Sequence, residues 1–156
     1  MDQATTEPAP VAGLEQYPKM KPEAKARWLE ALRSGKYKQG QGWLMSKRRK
    51  SEVMGLWADT EALENTVLTP VFCCLGVLCD LHDASRWNTS DGTRVGLAYK
   101  NGEVPSRGYA PDDVMAEAFV EGVEPDVLRT VQTRLAQMND KRLSFTEIAD
   151  WIEARL

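Results

Sequence analysis

Residues 71–82 read VFCCLGVLCDLH and form the most apolar segment of an otherwise polar chain. They contain all three cysteines and the only histidine of the 156 residues. A helix beginning near Cys73 carries apolar side chains at the i, i+3, i+4, i+7 spacing of a buried face, namely at Cys74, Val77, Leu78 and Leu81. We therefore predict a central apolar helix, in which Gly76 lets another backbone approach closely.

The same segment has two chemical alternatives. Cys73, Cys74, Cys79 and His82 could supply four zinc ligands, but on one helix Cys74 points about 140° away from Cys79. A thiol enzyme needs a histidine close to its cysteine, and His82 lies roughly 12 Å of axial rise from Cys74. We therefore expect no metal, no cofactor and no catalytic residue. A metal- or thiol-dependent enzyme built on these four residues stays as the alternative.

Length and charge indicate one ordinary globular unit. A chain of 156 residues, 42% hydrophobic and 28% charged, suits a single domain. The net charge of −3 argues against long duplex nucleic acid as a partner, and no apolar run is long enough to suggest a membrane partner. Three cysteines, two of them adjacent, make a poor disulfide framework, so we expect a reducing cytoplasm.

The N-terminal residues are rich in Ala, Thr, Glu and Pro. Residues 1–20 are therefore expected to form a disordered or loosely ordered tail, and residues 21–156 a single globular domain. A first helix is predicted over 22–34, with Pro22 in its first turn. Residues 43–45 and 53–57 are predicted to pair as a hairpin around a basic tip at 46–51, and residues 93–99 to form a strand between two tight turns.

The C-terminal third is predicted to be helical. Helices open at Pro111 and Pro125, and the second ends at Asn139-Asp140. Ser144 and Glu147 then form a capping box that opens a last helix. The predicted fold is α+β: a helix-rich single domain with four to five helices on a small antiparallel sheet. In it the apolar cysteine helix is central, and the C-terminal helix pair covers it.

A second candidate site lies directly after the first helix. Residues 33–43, RSGKYKQGQGW, combine glycines, lysines, amides and two aromatic side chains. Such a loop can contact an anion with backbone N–H groups, neutralise it with lysines and stack a base on an aromatic ring. The alternative is a surface turn with solvated lysines. We predict an anion- or nucleotide-binding site at Lys36, Tyr37, Lys38, Gln39, Gln41, Trp43, Arg48 and Arg49.

Three blocks of this sequence resemble a family of small uncharacterised proteins of tailed bacteriophages and prophages. The blocks are WLEALRSGKYKQG at 28–40, FCCLGVLCDL at 72–81, and MND with SFTEIADWIE at 138–140 and 144–153. The first two blocks lie further apart here than the family suggests, which indicates an insertion at residues 46–70. The resemblance implies a phage accessory protein in the cytoplasm of the bacterial host, and it supplies no activity to assign residue by residue.

We therefore expect a non-enzymatic protein that antagonises a host process, above all antiviral defence. Its partner would be a host defence protein or a phosphate-bearing small molecule, such as a nucleotide-type signal. The alternatives are the metal- or thiol-dependent enzyme and a structural or host-takeover interaction module. A homo-oligomer is compatible with each of these functions.

Overall fold

The computed structural model describes residues 17–49, 68–88, 94–97 and 108–156. Within these ranges the chain forms five α-helices and four strands, which confirms the α+β prediction. A short 3-10 turn at Ala84–Arg86 follows the second helix. In chain order the elements are α1 (Pro22–Arg33), β1 (Met45–Arg49), β2 (Leu68–Phe72), α2 (Cys74–Asp83), β3 (Trp87–Asn88), β4 (Arg94–Leu97), α3 (Asp112–Ala118), α4 (Pro125–Asp140) and α5 (Phe145–Arg155).

The sheet is small and antiparallel, with the strand order β2-β1-β4-β3. β1 pairs with β2 from Met45 opposite Phe72 to Arg49 opposite Leu68. β4 lies within the strand predicted at 93–99. The prediction of a hairpin tip at 46–51 is wrong for residues 46–49. These residues belong to β1, which pairs with β2. Residues 50–67, and with them the predicted partner strand at 53–57, lie outside the described residues.

The cysteine helix α2 lies in the core, as predicted. Every residue from Cys74 to Cys79 is buried, and α2 contacts α1, α3, α4 and β2. The close approach predicted at Gly76 is confirmed, because a Cβ there would lie 1.7 Å from the carbonyl oxygen of Leu44. Trp28 of α1 donates its indole N–H to the Cys74 carbonyl at 3.0 Å. Packing on all sides therefore outweighs the low helix propensity of glycine.

The two C-terminal helices form at the predicted positions, but they cover different elements. α4 contacts α2, whereas α5 packs mainly against α1. The prediction that both helices cover α2 is therefore confirmed for α4 and wrong for α5. The capping box is confirmed, since the Ser144 hydroxyl accepts from Glu147 N at 3.1 Å and the Glu147 carboxylate accepts from Ser144 N at 2.9 Å.

The packed structure includes residues 17–20, which the sequence placed in the tail. Met20 is buried, and its N–H donates to the Leu156 carbonyl at 3.1 Å. The Tyr17 ring meets the Trp151 ring edge-on at 5.1 Å. No helix within the described ranges combines the length and apolarity that crossing a membrane requires.

Candidate functional site

Residues 34–43, here called the basic loop, begin where α1 ends. The Ser34 hydroxyl donates to the Ala31 carbonyl at 2.7 Å and accepts from Lys36 N at 3.1 Å. Gly35 has a φ of 76°, in the left-handed region that glycine occupies without a side-chain penalty. This turn directs the chain away from α1.

The middle of the basic loop is bonded to the end of β2. Phe72 N donates to the Lys38 carbonyl at 2.8 Å, and Gly40 N donates to the Phe72 carbonyl at 2.7 Å. A Cβ at Gly40 would lie 2.7 Å from a methyl carbon of Val71, so a side chain there would push the loop away. The loop therefore lies directly against the strand that leads into α2.

Asn139 joins the basic loop to two helices. Its side chain is buried, and Oδ1 accepts from Cys74 N at 3.1 Å and from the Gln39 amide at 3.0 Å. Its Nδ2 donates to the Gly40 carbonyl at 2.7 Å. The Gln39 amide also donates to the Leu143 carbonyl at 2.7 Å. The loop, the start of α2 and the end of α4 therefore meet at one buried amide.

Tyr37 links the basic loop to α2 and β2. Its hydroxyl donates to Asp80 at 2.6 Å, and its ring meets the Phe72 ring edge-on at 5.0 Å. The Trp87 indole N–H donates to the second Asp80 oxygen at 2.9 Å. Burial, and then the hydrogen bond to Asp80, raise the pKa of Tyr37 to about 12. Its hydroxyl and its ring are thus both engaged within the fold.

The predicted binding residues fall into three groups. Lys36 and Lys38 are exposed on the loop, and within the described ranges their amines have no hydrogen bond or ion pair. Arg48 and Arg49 lie in β1 opposite Thr69 and Leu68, and their side chains lie outside the description. The structure therefore shows that the two lysines are exposed on the same loop and leaves the role of the arginines as a prediction. The half-buried group consists of Tyr37, Gln39, Gln41 and Trp43.

Two loop amides that the sequence suggested for an anion are already bonded. Gly40 N donates to Phe72, and Gly42 N donates to Asp140 Oδ1 at 3.1 Å. A phosphate on this loop would therefore be contacted by lysine side chains rather than by these two N–H groups. The difference arises because the partners, Phe72 and Asp140, are far away in sequence.

Sequence reasoning missed two cations beside the loop. Lys141 and Arg142 form the turn after α4, and both are exposed. Bonds from Gly42 N to Asp140 and from Gln39 to the Leu143 carbonyl hold this turn against the loop. No local sequence pattern reveals the proximity, although MND at 138–140 belongs to the third block of the family resemblance.

The cysteines are packed as apolar groups. Cys73 caps α2, and its sulfur accepts from Gly76 N at 3.4 Å. A helix N-terminus lowers a thiol pKa, but burial outweighs it here and raises the pKa of Cys73 to about 11. Burial also raises the pKa of Cys74 and Cys79 well above the ordinary thiol value. The described thiols are therefore protonated at neutral pH and shielded from solvent.

The four residues of the alternative metal site do not converge. His82 lies at the far end of α2, where Nε2 contacts the carboxylate of Glu117 in α3. Among the residues described, no three His, Cys, Asp or Glu side chains are placed to hold a metal ion.

An open cleft lies beside His82, between α1, α2 and α3. Its floor is apolar, and Arg27 at its edge donates to the Leu81 carbonyl at 2.9 Å. The cleft is lined by Ala24, Arg27, Leu78, Leu81, His82, Val114, Glu117 and Ala118.

Comparison with known proteins bears on the family of this chain. Neither the curated proteins nor the solved structures contain a match. One family model matches residues 20–68 and residues 61–156, which together cover every element described above. The chain belongs to the family described as a domain of unknown function, DUF8296.

Proposed function

We propose that this is a non-enzymatic protein that binds a phosphate-bearing ligand of nucleotide type at the basic loop. The proposal rests on a difference within the basic loop. Parts of the loop are hydrogen-bonded to neighbouring elements, whereas two of its lysine side chains have no partner among the described residues. Gln39 and Gly40 are bonded to the buried side chain of Asn139, and Gly42 is bonded to Asp140 at the end of α4. Lys36 and Lys38, in contrast, are exposed to solvent. A loop whose backbone is already ordered loses little backbone entropy on binding. Its lysines therefore bind an anion more tightly than the same lysines on a disordered loop.

The chemistry of the core supports a binding role over an enzymatic one. The described thiols are buried and protonated, and His82 contacts Glu117 instead of a cysteine. A nucleophile requires a thiolate and a base within hydrogen-bond reach. The cysteine segment therefore contributes packing in this proposal.

The biological role rests on the resemblance to proteins of tailed phages. A phage protein that binds a nucleotide-type immune signal without cleaving it would lower the free concentration of that signal and blunt the host's antiviral defence. Residues 34–40 of the basic loop lie within the first block of the resemblance. Binding of a host defence protein is the competing role for the same surface.

The test is retention of intact ligand. The protein is incubated with a panel of cyclic and NAD-derived nucleotides, freed of unbound ligand and heated, and the released compound is analysed by chromatography. Recovery of an unchanged nucleotide supports the proposal, and recovery of a cleaved product shows an enzyme instead. If no nucleotide binds and a host protein is captured from lysate, the surface serves a protein partner.

A charge-matched pair of variants locates the binding. Lys36→Ala with Lys38→Ala removes two cations from the loop and should abolish retention. Lys19→Ala with Lys25→Ala also removes two cations, and these lie near Arg155 and Glu153 at the opposite end of α1. This control should retain ligand like the unaltered protein, and equal losses in both variants would show a non-specific charge effect.

A further inference from the structure

The turn after α4 places an arginine where glycine is the usual residue. Arg142 N donates to the Asn139 carbonyl at 3.0 Å, and Leu143 N donates to the Met138 carbonyl at 3.1 Å. This Schellman pattern requires a left-handed residue directly after the helix cap, a position that favours glycine. Arg142 occupies it with a φ of 69°, whereas α1 has Gly35 at the equivalent position.

A left-handed arginine costs stability that a glycine would not cost. Backbone strain of this kind is characteristic of positions where the side chain serves a function. The Arg142 side chain is exposed, and within the described part of the chain it has no bonded partner that would explain its presence. Its position next to the basic loop offers an explanation.

Two hydrogen-bonded connections hold this turn beside the loop. Asp140 accepts from Gly42 N at 3.1 Å, and the Leu143 carbonyl accepts from the Gln39 amide at 2.7 Å. Lys141 and Arg142 lie between these two attachment points in the sequence. The turn and the loop are therefore fixed relative to each other.

We propose that the basic loop and the α4–α5 turn form one anion site, and that its ligand carries at least two phosphate groups. This inference rests on the proposed function and adds the turn and the ligand class to it. Four exposed cations then face the ligand from two segments, and in the described ranges none of them is paired. They are Lys36, Lys38, Lys141 and Arg142.

The neighbouring charges support this assignment. Asp140, which ends α4 next to the turn, accepts from Gly42 N and keeps its negative charge, so it offsets one of the four cations. The Glu147 carboxylate is bonded to Ser144 N in the capping box. The next cation along α1, Arg33, is neutralised by Asp150 and Glu153 at 2.8 and 2.7 Å. Lys36, Lys38, Lys141 and Arg142 therefore have no carboxylate partner among the described residues.

The number of cations indicates the ligand class. Four cations and the carboxylate of Asp140 give a net charge of about +3. One terminal phosphate carries roughly 1.5 to 2 negative charges at neutral pH, so this charge still matches two phosphate groups better than one. An arginine adds a planar fork that binds two phosphate oxygens together, while lysines act as point charges. A dinucleotide or a nucleoside diphosphate has the required chemistry.

The experiment uses Arg142→Gly, a variant that the geometry expects to be more stable than the unaltered protein. Binding of inorganic pyrophosphate and inorganic phosphate is measured by calorimetry at low salt, and Tm is measured without ligand. The unaltered protein should bind pyrophosphate more tightly than phosphate. Arg142→Gly should raise Tm and weaken pyrophosphate binding about tenfold, and Lys141→Ala should also weaken it.

The outcomes separate this inference from the proposed function. If Arg142→Gly binds pyrophosphate normally while Lys36→Ala with Lys38→Ala does not, the turn is outside the site and the loop proposal stands. If phosphate binds as tightly as pyrophosphate, the requirement for two phosphates is overturned. If the unaltered protein binds neither these anions nor any nucleotide of the panel, both proposals fall.

Discussion

The side-chain oxygen of Asn139, at the end of α4, accepts a hydrogen bond from the backbone N–H of Cys74, the first residue of α2, at 3.1 Å. The same side chain donates to the Gly40 carbonyl at 2.7 Å and accepts from Gln39. One buried amide therefore satisfies an N–H at the start of α2 and fixes the basic loop. Stability of the core and order of the candidate site depend on the same residue.

Asn139→Ala should destabilise the protein by about 3 kcal/mol, because it leaves buried polar groups of Cys74 and Gly40 without a partner. The free energy of unfolding is measured by urea denaturation with circular dichroism. Gln137→Ala is the control, since Gln137 is exposed on the same helix. A change of less than about 0.5 kcal/mol is expected there. Equal stability of the two variants would contradict the buried bonding of Asn139.

Gly76→Ala tests the packing of α2 against the chain before β1. The new Cβ would lie 1.7 Å from the Leu44 carbonyl oxygen, and a backbone atom cannot rotate away as a flexible side chain can. We expect a loss of more than about 3 kcal/mol in urea denaturation, above the usual range for overpacking.

Gly108→Ala is the control for Gly76→Ala, because among the described residues no atom beyond its chain neighbours lies within 4 Å of a Cβ at Gly108. Its stability should stay within about 0.5 kcal/mol of the unaltered protein. If Gly76→Ala unfolds at the same urea concentration as Gly108→Ala, the Leu44 carbonyl does not lie against Gly76.

Local signals in the sequence predicted the helices well. The proline at the start of α1, the spacing of apolar residues in α4 and the Ser144–Glu147 capping box each act within a few residues, so they can be read without knowledge of the fold. The apolar composition of the cysteine segment also predicts that α2 is buried, but burial extends over every residue from Cys74 to Cys79, and Leu81 of the predicted face is half-buried. These signals depend on contacts along one helix.

The hydrogen bonds that hold the basic loop in place could not be predicted from such local signals. The composition of the loop predicts Gln39 as a ligand-binding residue, and the fold bonds it to Asn139, 100 residues away. It predicts Tyr37 as a stacking residue, and the fold bonds its hydroxyl to Asp80, 43 residues away. Pairing of β1 with β2 also joins separate segments, from Met45 opposite Phe72 to Arg49 opposite Leu68. Composition identifies residues able to bind a ligand, whereas the fold decides which of them are used for internal hydrogen bonds.

The three thiols should be unreactive in the folded protein. Burial raises the pKa of each and excludes reagent from the sulfur, so a disulfide-exchange reagent at pH 8 should label none within minutes. In guanidinium chloride all three cysteines should react. Ser34→Cys provides an exposed thiol as a positive control. Rapid labelling of Cys73, Cys74 or Cys79 in the native state would revive the thiol-enzyme alternative.

Tyr37→Phe should lower the free energy of unfolding by an amount that depends on pH. At neutral pH the loss of the hydrogen bond to Asp80 should cost about 1 to 2 kcal/mol. The pKa of Tyr37 rises from its ordinary value of 10.0 to about 12 in the folded protein. Between these values the folded state keeps a proton that the unfolded state has lost. The stability that the tyrosine confers is therefore fully present below pH 10 and is lost as the pH rises to 12.

The measurement compares Tyr37→Phe with the unaltered protein by urea denaturation at several pH values from 7 to 11.5. Groups that titrate equally in both proteins cancel in the difference between their free energies of unfolding. That difference should stay constant to about pH 10 and then shrink. A difference that remains constant through the alkaline range would mean that the Tyr37 hydroxyl is not bonded to Asp80. One side of the basic loop would then lack the anchor that its binding role requires.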